Sequence, residues 1–388
     1  MKHTILEDKG TKVVVDDRIF GRLSYHKKYL SHNDFPGDKL LCPEPFSYIE
    51  VRRNGDVNIC CPQWNPVSIG NLLTTDLETI WTGEKAQVIR DTILDGSYSY
   101  CNNSTCPKII NYHSMTDDKF GLITRTKHSQ DRLVKSVLST PEHVHFVIDE
   151  SCNLLCPSCR STKFTQLDER SKQRALTVFR RVTQSMFPTA HIEHKSISMD
   201  GSGEIFSSEV YRELFETEEI FTQTYRWPNL KFQLTTNGTM MTEKIQKKYS
   251  QLFNHAERVT VSIDAGNEAS YNITRVGGHW DLLWKNMQYF HDNTLQDNRI
   301  TRWWKWNIIV QRDNFESIPD LIEIALKFKK IPTIYFANLL NWSTWEDDDY
   351  LARAVHLPSH PLHGRYLEIW NSPIVQNYRF KNGGPAVG

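Results

Sequence analysis

Cys152-Asn-Leu-Leu-Cys156-Pro-Ser-Cys159 places three thiols at spacings of four and three within eight residues. It comes just after a strand-like run, His143-Val-His-Phe-Val-Ile148. A short loop can fold around one centre so that three thiolates at these spacings converge on it. Three thiolates fill three corners of a cubane [4Fe–4S] cluster and leave one iron open. An iron without a protein ligand can bind a small molecule, so this spacing points to chemistry rather than to structure alone. The alternative is a zinc site completed by a distant His or Cys. Structural zinc usually takes two Cys-x2–4-Cys pairs and four closed ligands, and only one triplet is local here.

Downstream of the loop, strand-like and helix-like segments alternate. The strands read 143–148, 196–200, 230–236, 258–263, 302–310 and 333–339; helical patterns run over 167–185, 208–218, 243–253, 280–291 and 317–328. Such alternation implies a parallel sheet with helices outside it, either an open doubly wound sheet or a curved partial barrel. In both, ligands bind at the C-terminal ends of the strands. Polar motifs fall at those ends: Asp200-Gly-Ser202-Gly203-Glu204, Thr236-Asn237-Gly238 and Ser262-Ile-Asp264, with Arg275 following in Thr274-Arg275-Val-Gly-Gly278. Each has an ordinary reading as well, since Asn237-Gly238 makes a good turn and Asp264 a good N-cap. In the fifth strand Trp304 and Trp306 share a face and Trp303 takes the other. Packing against helices is the first reading of these rings, and stacking on a sugar or peptide aromatic the second.

Upstream, five more cysteines stand at 42, 60, 61, 101 and 106, and none of the eight lies beyond residue 159. Clustered cysteines in a reducing compartment usually bind metal, and their division into two groups suggests two centres. Asn54-Gly55 between two β-rich runs predicts a hairpin that carries Cys42 and Cys60 towards each other. A helix is expected over 76–94 with Gly96 as its cap. A zinc knuckle tying hairpin to helix end is the structural alternative. Residues 1–40 carry no sharp motif beyond a possible hairpin over 12–20. The tail holds His356, His360 and His363, but two prolines interrupt any regular face, so covering the sheet edge is its expected role. The glycine-rich end, 383–388, reads as disordered.

The chain has 388 residues, enough for two or three domains, with Lys+Arg and Asp+Glu balanced at 46 each. Zero net charge gives no reason to expect nucleic acid or an anionic membrane as a partner. The opening residues lack the apolar core of a signal peptide, and no apolar run approaches the roughly 18 residues that span a bilayer. A cytoplasmic protein is expected.

The cysteine loop resembles that of the radical S-adenosylmethionine (SAM) superfamily, Cys-x3-Cys-x2-Cys, with Ser158 where an aromatic residue is common. The resemblance implies a partial (β/α)6 barrel, and a SAM-binding [4Fe–4S] cluster on Cys152, Cys156 and Cys159. It also implies SAM contacts from Ser202, Gly203 and Glu204 (the Gly-Gly-Glu motif, with Ser202 replacing the first glycine) and from Asn237, Ser262, Asp264 and Arg275. The upstream cysteines, with Gly70-Asn71-Leu72 and Ile80-Trp81, resemble the SPASM/twitch module, which usually follows the barrel and here precedes it. The twitch pattern implies one auxiliary [4Fe–4S] cluster on Cys42, Cys60, Cys101 and Cys106, with Cys61 spare or exchanged with Cys60. The implied layout is an extension (1–40), the auxiliary domain (41–112), a linker (113–139), the barrel (140–340) and a C-terminal extension (341–388).

The implied reaction is reductive cleavage of SAM to a 5′-deoxyadenosyl radical, which takes a hydrogen atom from the substrate. Oxidation or epimerisation of a carbohydrate or small metabolite is the expectation, with a flavodoxin or ferredoxin as electron donor. Thioether or epimer formation in a ribosomally made peptide is the alternative, and a non-catalytic zinc scaffold the remote one.

Overall fold

The computed structural model describes residues 3–8, 11–16, 35–103, 106–110, 112, 121–188, 190, 193–199, 203–295, 303–341 and 344–382. The chain divides into two compact units, the first Met1–Ile148 with Gln173–Ile197, the second Asp149–Lys172 with Ser198–Gly388.

In the first unit β1 (His3–Asp8) and β2 (Thr11–Asp16) form an antiparallel hairpin. It begins earlier than the one expected over 12–20, of which residues 17–20 lie outside the described residues. β3 (Leu40–Leu41) is followed by β4 (Tyr48–Arg52) and β5 (Asp56–Asn58), antiparallel about Asn54-Gly55 as expected. Gly55 sits at φ +90°, a region open to glycine at little cost. β6 (Gly70–Asn71) extends this meander, and β7 (Ile123–Thr124) pairs with β3. β8 (His143–Val147) then pairs in parallel with β4, Ile49 opposite Val144 and Val51 opposite Phe146. These four side chains are fully buried. Because successive side chains alternate across a strand, the other face carries Tyr48, Glu50, His143 and His145.

The helix expected over 76–94 is two helices, Leu77–Thr82 and Glu84–Asp95. Gly83, with extended backbone between them, ends one and starts the next. Asp76 caps the first through Thr79 N, and Gly96 at φ +90° closes the second. Residues 121–139, expected as linker, are built into this unit. Arg125 donates to the carbonyls of Gly37, Leu40, Ile93 and Leu94, and a capping box starts the helix Lys127–Ser136.

β9 (Lys195–Met199) begins in the first unit and ends in the second. The second unit continues with β10 (Leu230–Thr236), β11 (Ala256–Ser262), β12 (Trp303–Val310) and β13 (Thr333–Asn338), each parallel to the next in that order. The connections carry helices, including Glu243–Lys248 and Ser250–Asn254, Glu268–Thr274 and Trp280–Tyr289, and Ile318–Leu326. This is mixed α/β architecture with a parallel sheet. Trp304 and Trp306 are buried; Trp306 lies 5.3 Å from the Trp284 ring of the helix Trp280–Tyr289, and both meet Phe328, just past Ile318–Leu326, at 5.0 and 5.7 Å, so they pack against the helical layer as first read. The Trp303 side chain lies outside the described residues, as do Arg302 and residues 383–388. The tail histidines brace backbone: His360 bonds Ala352 O and His363 bonds Val355 O.

Arg90 is only 1% exposed, 4.1 Å from the Trp81 ring centroid, and donates to Pro45 O and Trp81 O at 2.8 Å. Methionine would fill the space but leave two buried carbonyls unsatisfied. Arg90→Met is expected to cost about 2–6 kcal/mol, at roughly 1–3 per orphaned group, read as a lower thermal midpoint. An unchanged midpoint would show that these bonds do not hold the first unit together.

Candidate functional site

In the second unit the cysteine loop is pinned from several sides. Cys152 N donates to Phe164 O, Leu155 N to Val276 O, and Arg160 reaches back to Glu150 O. Within it Cys156 is buried, Cys152 half-buried and Cys159 exposed. Burial raises the Cys152 thiol, and raises Cys156 despite a nearby guanidinium.

The strand-end residues gather beside this loop. Glu204 is 1% exposed, and its carboxylate accepts from Thr236 Oγ1 (2.8 Å), Asn237 N (2.6 Å) and Phe206 N (3.2 Å). Burial raises its pKa, opposed by those three donors. Gly203 has to be glycine: a Cβ there would lie 2.5 Å from Asp149 O and 2.7 Å from Ser151 O. Asn237 Nδ2 donates to Asn153 Oδ1 at 2.9 Å and faces Cys152 Sγ at 3.8 Å, so this side chain braces the loop itself. Ser262 is half-buried at the end of β11, opposite Asn307. Ser202 lies outside the described residues.

Asp264 takes φ +55°, rare for a side chain other than glycine, and its Oδ1 accepts from Ile309 N at 2.7 Å. Its Oδ2 pairs with Arg275 Nη2 at 2.9 Å, while Arg275 Nη1 faces Cys156 Sγ at 3.5 Å. Both terminal nitrogens of the guanidinium thus face protein groups, a carboxylate and a thiol. Burial works against the charge of Arg275, but Asp264 and Cys156 outweigh it and keep the guanidinium protonated. Two buried polar atoms here, Arg275 Nε and Tyr271 Oη, have no hydrogen-bond partner among the described residues, a state that folded proteins seldom tolerate. They fit a site made for a further acceptor. Tyr271, Asn153 and Thr239 were not read as site residues. Only their nearness to the motifs could have flagged them.

In the first unit Cys42, Cys60, Cys61, Cys101 and Cys106 line one cavity of about 240 Å³. Its apolar walls are Pro45, Ile93, Tyr98, Ile109 and Leu122, backed by a core that includes Leu41 and Phe46, and its polar wall is the row of Tyr48, Glu50 and His145. Tyr48 Oη lies 3.0 Å from His145 Nδ1 and 3.4 Å from Glu50 Oε2. The loops close by backbone bonds: Trp64 N to Cys61 O, Cys101 N to Tyr98 O, Asn102 N to Trp64 O and Cys106 N to Asn102 O. Burial lifts every thiol, Cys61 and Cys106 to about 11 and Cys60 and Cys101 well above the ordinary range. Glu44 raises both Cys60 and Cys61; Cys60 also feels Cys42, Cys101 and Cys106, and Cys61 feels Glu50 and Arg52.

Among the described residues no three His, Cys, Asp or Glu side chains close on a single ion position. A lone zinc holds each sulfur at about 2.3 Å and draws its ligands tightly together. Thiols spread around an apolar cavity suit a polynuclear core better.

Residues 42–107 match the SPASM iron–sulfur cluster-binding domain. The SPASM segment contains all five cysteines of the cavity and stops short of the cysteine loop. No curated protein matches this chain. A solved structure of TYW1 with a lysine–pyruvate adduct bound is similar over 52% of this chain and 67% of that one. Its identity is 17% and its TM-score 0.29, too low to bear on fold or function.

Glu204→Gln tests the buried carboxylate. One amide nitrogen must then face a backbone or hydroxyl donor, so the change should cost about 1–3 kcal/mol although it removes a buried charge. Thermal melting of the two proteins checks this, and equal stability would mean the donors have other acceptors.

Proposed function

We propose that this protein is a radical SAM enzyme with a SAM-binding [4Fe–4S] cluster on Cys152, Cys156 and Cys159 and an auxiliary cluster on Cys42, Cys60, Cys101 and Cys106. The observation that carries the proposal is the gathering of Glu204, Asn237, Asp264 and Arg275 about a loop of three thiols. The five-cysteine cavity supports the second centre, with Cys60 assigned as ligand and Cys61 as the spare thiol on the same wall. In this reading β8–β13 belong to a partial (β/α)6 barrel.

A cluster on the loop, when bound, supplies the electron that cleaves SAM. The chain's own residues set the stage for it. Arg275, steadied by Asp264, donates toward the Cys156 sulfur, and charge-assisted donors of this kind stabilise a thiolate. Asn237 and Asn153 hold Cys152 in register. Arg275 Nε, Tyr271 Oη, Ser262, Gly203 and Glu204 offer polar contacts for the amino and carboxylate groups of SAM, and Ser202 is assigned to them from its place in the sequence motif. The reaction we assign is hydrogen abstraction leading to oxidation or epimerisation of a carbohydrate or small metabolite, fed by a flavodoxin or ferredoxin. An electron-accepting second centre favours oxidation.

Anaerobic reconstitution, an iron count and an assay for 5′-deoxyadenosine test this. About eight irons per chain, four per cubane, and 5′-deoxyadenosine formed from reduced enzyme and SAM are expected. Cys156→Ala should abolish SAM cleavage and leave the auxiliary absorbance. Cleavage that survives this change, or zinc in place of iron, overturns the proposal.

A further inference from the structure

We infer that the ammonium of Lys108, held by Glu44 at the wall of the five-cysteine cavity, sets the reduction potential of the centre bound there and makes it an electron acceptor. This rests on the reading of that cavity as a cluster site. Lys108 lies one residue beyond the SPASM segment.

Lys108 Nζ donates to Glu44 Oε2 at 2.5 Å, and both residues line the cavity. The side chains are 20% and 33% exposed, so the pair is partly screened from water. The ammonium bears on Cys42, Cys60 and Cys106, three of the four assigned ligands. Glu44 bears on Cys42 and Cys60 with the opposite sign. No other Lys or Arg lines the cavity among the described residues. The neighbouring cations are committed elsewhere, Arg125 to backbone carbonyls, Arg90 to Pro45 and Trp81, and Arg52 to Glu50.

Four thiolates around a cubane make an anionic unit, and reduction adds one more negative charge. Its potential follows net charge, hydrogen bonds to sulfur and solvent exposure. In a low-dielectric cavity a fixed charge a few ångströms away counts for far more than in water. The Lys108 ammonium on the cavity wall therefore favours the reduced form and raises the potential, while the carboxylates of Glu44 and Glu50 on the same wall pull it down. The electron would come from a carbon-centred substrate radical, which loses a proton as it becomes the oxidised product.

The test uses the full chain with Cys152, Cys156 and Cys159 replaced by Ala, reconstituted anaerobically so that only the second centre is titrated. Against that parent, Lys108→Met should lower the midpoint potential, Glu44→Gln should raise it, and Lys108→Arg should leave it nearly unmoved. With iron retained, shifts of one sign in both neutral variants, or no shift, overturn the role of Lys108. If Lys108→Met does not load iron, Glu44→Gln decides alone, and a midpoint unmoved or lowered overturns it. A parent holding no iron sinks the cluster reading itself, and with it this inference.

Discussion

A buried thiol gives up its proton only when another positive charge takes the proton's place. That exchange governs both cysteine clusters. The cavity thiols sit among Phe46, Ile93 and Tyr98 with pKa values driven up by burial, so without a metal they are neutral hydrophobes. Metal binding would turn the same burial into tight, proton-releasing ligation and would add its free energy to folding. Much of the first unit is arranged around this exchange. Arg125 ties four carbonyls together, the Trp64–Asn102 bond joins two cysteine loops, and the parallel pairing of β4 with β8 brings up a polar wall.

The cysteine loop of the second unit solves the same problem with a cation already in place. Arg275 cannot lose its proton under ordinary conditions, and Asp264 fixes where its charge points. Fixing it strains the backbone, since Asp264 adopts a left-handed conformation that its bonds to Ile309, Asn314 and Thr274 hold in place. Glu204 is treated in the opposite way, with three donors around one buried carboxylate and no cation paired to it directly. The two acids lie near the same loop with different tasks, one steadying a charge and the other organising a turn.

Much of this was legible in the chain itself. Spacing identified the cysteine loop, the Asn54-Gly55 hairpin and the alternation of strands and helices, because each depends on residues close in sequence. Element ends were read to within a few residues. The misses have local physical causes. Gly83 breaks an expected helix by taking an extended backbone, and the hairpin at the start of the chain sits earlier, His3–Asp8 pairing with Thr11–Asp16 without a clean apolar alternation to mark it.

The sequence by itself determined which residues can carry chemistry, since thiols at fixed spacing and polar groups at strand ends are local facts. Only tertiary structure decided how those residues are used. It paired Arg275 with Asp264 and Cys156, set Asn237 against Asn153, brought five thiols to one cavity, and placed Lys108 and Glu44 on its wall. It also bound the supposed linker into the first unit through Arg125 and joined β4 to β8. These pairings span tens to more than a hundred residues of chain. They follow from burial and the satisfaction of hydrogen bonds in the folded protein, which no local pattern encodes.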